Sequence, residues 1–160
     1  VGGDSAGGNL AAVLALMGRD GMLPPPGYQL LFYPVTDLAA EAPSYARITQ
    51  GYPLTAATMR WFAGHYLGEA AQGQDWRASP LRAGSLAGTP PAFVMTCGHD
   101  PLADEGIAYA HRLDQDGVRV AHLHLADQMH ACLTMGRFIP ASDLTLRQAA
   151  AAARLHWGLP

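Results

Sequence analysis

Apolar positions along the chain repeat at two periods, and the two alternate. Leu10, Val13, Leu14 and Met17 fall at helical spacing after Ser5, and the stretch from Gly18 to Pro26 ends that pattern, which predicts a helix over 5–18. Gln29 to Tyr33 is a short apolar run closed by Pro34, as expected of a buried strand. An irregular stretch, 34–54, follows. Thr55 then caps a predicted helix that runs to Leu67, with Met59, Phe62 and Tyr66 along one face. Residues 68–91 are rich in Gly, Ser and Pro and read as loop. Beyond them, Ala92 to Cys97 is another buried strand, and Asp104 to Asp116 is a helix closed by Gly117. Val118 to Leu125 is a strand in which Val118, Val120, His122 and His124 alternate with Arg119, Ala121, Leu123 and Leu125. Ser142 is expected to cap a last helix that passes through the alanine run 149–153 to about Trp157. Strands alternating with helices predict an α/β fold, a parallel sheet flanked by helices. No internal repeat or domain linker interrupts the 160 residues.

Composition narrows the function classes. With 49% hydrophobic and 14% charged residues, the chain has the balance of a globular domain large enough to bury a core. The net charge is -3 with the seven histidines neutral, so no basic footprint suggests a nucleic-acid partner. All ten basic residues are arginine. No apolar run reaches the roughly 20 residues of a membrane helix, and no signal-peptide pattern is present, so a cytoplasmic location is the expectation. Cys97 and Cys132 are too few and too far apart in sequence for a disulfide framework or a zinc site, and read as two reduced, buried thiols.

Gly3-Asp4-Ser5-Ala6-Gly7 satisfies G-x-S-x-G. In that motif the serine sits on a tight strand-to-helix turn with its hydroxyl exposed, and flanking glycines let backbone approach without a Cβ clash. A helix starting at the serine aims its first N–H groups and positive dipole end at developing negative charge, so the Ala6 N–H is a candidate oxyanion donor. The bare motif is weak, and a glycine-rich turn capping a helix explains it equally well; there is no G-x-x-x-x-G-K-[ST] to support a phosphate loop.

A serine nucleophile needs a base to take its proton and a carboxylate to orient that base. Where G-x-S-x-G carries a nucleophile the partners follow in the order serine, acid, histidine, and on a parallel sheet they sit on loops after strand C-termini. Asp100 follows the strand ending at Cys97, and His130 follows the strand ending at Leu125, so these two occupy the expected places. Asp104 and Glu105 open a helix and read as favouring its dipole. Asp37 reads as a loop cap. His122 and His124 lie within a strand, His65, His111 and His156 within helices, and His99 precedes Asp100 in its loop.

The sequence resembles the bacterial hormone-sensitive-lipase-like (family IV) carboxylesterases. The matching stretches are Gly3-Asp4-Ser5-Ala6-Gly7-Gly8-Asn9-Leu10, Tyr33-Pro34-Val35-Thr36-Asp37, Gly51-Tyr52-Pro53-Leu54-Thr55, Ser79-Pro80-Leu81 and Asp100-Pro101-Leu102-Ala103-Asp104-Glu105-Gly106. The resemblance implies an α/β-hydrolase fold, with the chain forming the C-terminal portion of a single catalytic domain that runs to about twice this length in the family. It also implies Ser5 as nucleophile, Asp100 as acid, His130 as general base and the Ala6 N–H as an oxyanion donor, with no metal or organic cofactor. Short- to medium-chain carboxylic esters are the implied substrates. The family carries a His-Gly-Gly-Gly loop that supplies further oxyanion donors; these 160 residues contain none, so weak or no turnover by the chain itself is expected. Ala131 and Cys132 depart from the family, which commonly has glycine after the histidine and an aromatic next. Relatives often dimerise through the last strand, so a homodimer through Val118 to Leu125 is a further expectation. A non-catalytic ligand-binding module on the same fold is the alternative; retention of His130 argues against it.

Overall fold

The computed structural model describes residues 1–159. Four strands form one parallel sheet in sequential order: β1 (Gly2–Asp4), β2 (Gln29–Phe32), β3 (Ala92–His99) and β4 (Val120–Met129). Five helices accompany them: α1 (Ala6–Arg19), α2 (Pro43–Arg47), α3 (Ala56–Tyr66), α4 (Ala103–Gln115) and α5 (Pro140–His156). Short 3₁₀ turns at Ala70–Gln74, Pro80–Arg82 and Cys132–Met135 fill the longer connections.

Alternation along the strands divides the core into two layers. Leu31 and Val94 face α1 and α4 and pack with Leu16, Tyr109 and Leu113. Phe93 and Met95 face α5 and pack with Tyr28, Tyr33, Ala149 and Ala153. β3 is therefore buried on both faces, from Ala92 through Cys97, which is why its sequence is a continuous apolar run rather than an alternating one. Among the described residues β1 and β4 are the two edge strands, β1 paired only with β2 and β4 only with β3. A third, smaller cluster of Val35, Tyr45, Leu54, Ala56, Met59 and Leu102 lies among the loops beside the C-terminal ends of the strands.

Most predicted elements stand within a few residues of expectation, and the differences have local causes. Thr55 caps α3, its side chain accepting from the Thr58 N–H at 3.3 Å. Of the three residues on its predicted face only Met59 is buried, while Phe62 and Tyr66 remain 49% and 57% exposed. The last strand starts two residues later than predicted, because Val118 leaves the Gly117 turn by donating to Leu113 and drops into the core. It then runs on through Asp127 and Gln128 to Met129, beyond the predicted end at Leu125. A register shift between Cys97 and His99 accommodates them, with Cys97 opposite Leu125 and His99 opposite Met129. Ser142 does not cap the last helix. Pro140 starts that helix from Ile139, and the Ser142 hydroxyl inside its first turn donates to the Leu133 carbonyl at 2.8 Å.

Leu31 is fully buried between the sheet and α1. Leu31→Ala is expected to cost about 2–5 kcal/mol, the range for emptying a filled core site. Urea denaturation followed by circular dichroism reads it.

Candidate active site

The site is built where β1, β3 and β4 end. Ser5 follows β1 at once, with φ 54° and ψ -119°, a backbone conformation that side chains other than glycine rarely adopt. The turn closes because Gly3 has no Cβ; one built there would sit 2.4 Å from the backbone of Gly7. The sequence had assigned both glycines to close approach, but a Cβ on Gly7 would meet open space. The clash belongs to Gly3 alone. The Ser5 N–H donates to Phe32 and the Ser5 carbonyl accepts from Val35 at 3.3 Å and Asn9 at 3.1 Å, so β2 and its loop hold the turn.

From that turn the Ser5 hydroxyl reaches His130 Nε2 at 2.9 Å. His130 Nδ1 lies 2.6 Å from Asp100 Oδ2. The other carboxylate oxygen of Asp100 accepts from the Leu102 N–H at 2.8 Å, which fixes the carboxylate in its loop. Asp100 is fully buried and His130 nearly so. A buried carboxylate beside Nδ1 makes that nitrogen the N–H donor and leaves Nε2 as an acceptor for the serine proton. The three candidate side chains, up to 125 residues apart, thus meet in one hydrogen-bonded succession. Ala6 is the first residue of α1, where an N–H has no acceptor within its own helix, and it lines the same cavity as Ser5.

That cavity measures about 460 Å³. Apart from Ser5, Asn9 and His65 its walls are largely apolar, among them Leu10, Val35, Met59 and Phe62. It can take a hydrocarbon group while the serine faces whatever the group is attached to.

The other candidates fall elsewhere. His99 stacks on Tyr52, with ring centroids 5.3 Å apart, at the outer edge of the Asp100 loop. His122 and His124 both reach the Thr96 hydroxyl at 2.9 Å from β4. His111 packs near His122, and His156 near Tyr28 and Trp157. His65 alone among these lines the cavity, on α3. Asp37 does act as a loop cap, accepting from the Ala39 N–H, and it also grips Arg82 through both oxygens. Asp104 pairs with Arg47 across to α2, and that guanidinium holds its carboxyl below the ordinary value.

Glu105 is not a solvent-facing helix-end carboxylate. It is 3% exposed, and its Oε1 accepts from the Thr36 and Asp37 N–H groups at 2.7 and 3.2 Å. Burial outweighs those two bonds and pushes its carboxyl up to about 8. Sequence reasoning also passed over Tyr33. Its ring packs 4.6 Å from the His130 imidazole, centroid to centroid, and its backbone has φ 34°. The only sequence signal for either residue was its place inside a matching family stretch. Cys97 and Cys132 are free and buried as expected, and the fold brings their sulfurs to 3.7 Å.

Comparison with known proteins agrees with this architecture. A family described as having the alpha/beta hydrolase fold matches residues 1–134, and the chain belongs to that family. An ethyl acetate hydrolase of Pseudomonas putida is 37% identical over 155 residues, covering 96% of this chain and 49% of the relative. The carboxylic ester hydrolase LipN of Mycobacterium tuberculosis is 38% identical over 161 residues, covering 98% of this chain and 43% of its own. Among solved structures, the thermostable carboxylesterase EstE1 from a metagenomic library superimposes with a TM-score of 0.92 at 36% identity, over 98% of this chain and 54% of that one. An ester hydrolase from the metagenome of Lake Arreo, solved with a bipyridine phosphonate derivative, gives 0.93 at 41% identity over 99% and 50%. These relatives agree with the hormone-sensitive-lipase-like resemblance. The chain spans about half the length of the relatives it matches.

Two stability predictions follow from the strained and buried groups. Ala131, next to His130, is left-handed at φ 66°. Ala131→Gly is expected to stabilise the chain by about 0.5–1 kcal/mol, read as a higher urea midpoint. Folded Glu105 keeps its proton up to about pH 8, whereas its ordinary value is 4.5. Its contribution to stability is therefore full below the ordinary value and declines as pH rises towards the folded one. In Glu105→Gln the fall in urea midpoint across that window is expected to be smaller than in the unsubstituted chain.

Proposed function

We propose that this chain is the C-terminal portion of a single α/β-hydrolase catalytic domain that hydrolyses carboxylic esters through an acyl-Ser5 intermediate. The observation that carries the reading is the succession Ser5 Oγ, His130 Nε2, His130 Nδ1, Asp100 Oδ2, with contacts of 2.9 and 2.6 Å. His130 takes the Ser5 proton as the oxygen attacks the ester carbonyl. The imidazolium so formed is stabilised by the buried Asp100 carboxylate and returns its proton to the leaving alcohol. Water, deprotonated by the same imidazole, then releases the acid and regenerates Ser5. The Ala6 N–H meets the oxyanion at each tetrahedral stage.

Three further observations support the reading. The apolar cavity opens against Ser5 and has the size of a small-molecule site, which favours short- to medium-chain esters. Ethyl acetate hydrolase, a relative by sequence, is named for an ester of that kind. A phosphonate derivative accompanies the Lake Arreo structure, a compound class that resembles the tetrahedral stage of acyl transfer. The His-Gly-Gly-Gly motif that supplies additional oxyanion donors in the family is absent from these 160 residues. Losing a single oxyanion donor costs about 10²–10³ in rate, so weak or no turnover by these 160 residues themselves is part of the proposal. The edge position of β4 supports pairing of two copies there.

A fluorophosphonate probe tests the proposal. Labelling is expected on Ser5, lost in Ser5→Ala and slowed on the order of 10⁴-fold in Asp100→Asn, whose amide favours the wrong imidazole tautomer. Labelling that survives in Ser5→Ala would contradict the proposal, and absence of labelling would favour a ligand-binding role for the cavity.

A further inference from the structure

The loop after β2 is bonded on one side to the Ser5 turn and on the other to Glu105, in the helix that begins on the Asp100 loop. On one side the Val35 N–H donates to the Ser5 carbonyl, and Asn9 Nδ2 donates to the Val35 carbonyl at 2.9 Å. On the other side Thr36 and Asp37 donate their N–H groups to Glu105 Oε1, and the Thr36 hydroxyl donates to the Glu105 carbonyl at 3.0 Å. Glu105 stands in the first turn of α4, the turn that begins on the Asp100 loop through Ala103 N–H to Asp100 carbonyl at 3.1 Å. The helix lies close against β3 because Gly106 has no Cβ, which would sit 2.8 Å from the Thr96 methyl. Glu105 Oε2 is buried with no hydrogen-bond partner.

We propose that Glu105 is a positioning residue of this site, a buried strap that holds the Ser5 turn and the Asp100 loop in register through the segment Val35–Asp37. The proposal rests on the reading of Ser5, His130 and Asp100 as catalytic. Two N–H groups of a buried loop converge on one side-chain oxygen, and no other side chain bonds either of them. Removing that oxygen strands both donors and frees the loop that fixes the Ser5 carbonyl.

The strap works as a neutral acid. The charged and titratable groups around it are Asp37, held by Arg82, on the strap itself; Asp100 in the acid loop; Asp104, held by Arg47, on α4; and buried Tyr45 on α2. None of these is a cation free to pair with it. Ionised Glu105 would put a second negative charge, with no cation to pair with it, near Asp100 in a buried region, and relieving that cost draws water into the strap. Alkaline pH should therefore loosen the site.

The test follows the rate of Ser5 labelling by a fluorophosphonate against pH, together with the low-field Nδ1–H resonance of His130 by NMR, which reports the bond to Asp100 without any chemistry at Ser5. Glu105→Gln keeps the accepting oxygen and cannot ionise. It is expected to label within about threefold of the unsubstituted chain near neutral pH and to lack that chain's loss of labelling and of resonance above about pH 8. Glu105→Ala, with its fold checked by circular dichroism, is expected to label on the order of tenfold or more slowly at every pH and to lose the resonance. An alkaline limb shared by Glu105→Gln and the unsubstituted chain, or a folded Glu105→Ala with unchanged rate and resonance, would overturn the proposal. Resonance changes as expected, with no labelling of Ser5 in any form of the chain, would uphold the strap and count against the catalytic reading.

Discussion

Parallel pairing is the constraint from which the site follows. Because β1, β3 and β4 run the same way, their C-terminal ends share one rim, and the residues just beyond them are neighbours whatever their separation in sequence. The serine, carboxylate and imidazole each occupy such a position. What the sheet cannot supply is orientation. The last few ångströms are set by local backbone geometry: a positive φ at Ser5, at Tyr33 behind the imidazole, and at Ala131 directly after it. Among the described residues these are the only non-glycine positions with positive φ, and all three surround His130. Strain concentrated at one place in an otherwise regular fold is what a site that must hold a fixed geometry requires, and the two packed layers on either face of β3 provide the stability to maintain it.

The elements that position the site were legible because each carries a local signal. Ala92–Cys97 is apolar throughout because both faces are covered, and Gly117 and Pro34 mark sharp ends. The order of strands and loops singles out Ser5, Asp100 and His130 as candidates, and the fold brings the three side chains together. Elements without a local signal were read less well. The extension of β4 through Asp127 and Gln128 depends on a register shift against Cys97 and His99, which is a property of a pair of strands and is invisible in either one. Ser142 has the chemistry of a cap, yet the proline two residues before it fixes the helix start and leaves the hydroxyl to bond Leu133.

Glu105 is the sharpest case. A carboxylate in the first turn of a helix is ordinarily explained by the helix dipole, and nothing in α4 alone argues otherwise. Its burial is imposed by a loop 69 residues earlier that offers it two N–H groups. The contact is long-range, polar and between an irregular segment and a helix, so periodicity carries no trace of it. Cys97 and Cys132 teach the same lesson from the other direction. Their spacing in sequence argued only against a disulfide framework or a zinc site, and their sulfurs are neighbours because one lies on β3 and the other in the turn that carries His130 away from β4.

The central claim is that the hydroxyl of residue 5 becomes acylated by an ester because the imidazole beside it removes its proton. Mixing the chain with a p-nitrophenyl ester, quenching in acid within the first turnover and mapping the peptides by mass spectrometry tests this directly. The account predicts an acyl group on the N-terminal peptide at Ser5, absent when His130 is replaced by alanine. An acyl group on any other residue, or one at Ser5 that forms equally fast without the imidazole, would contradict it.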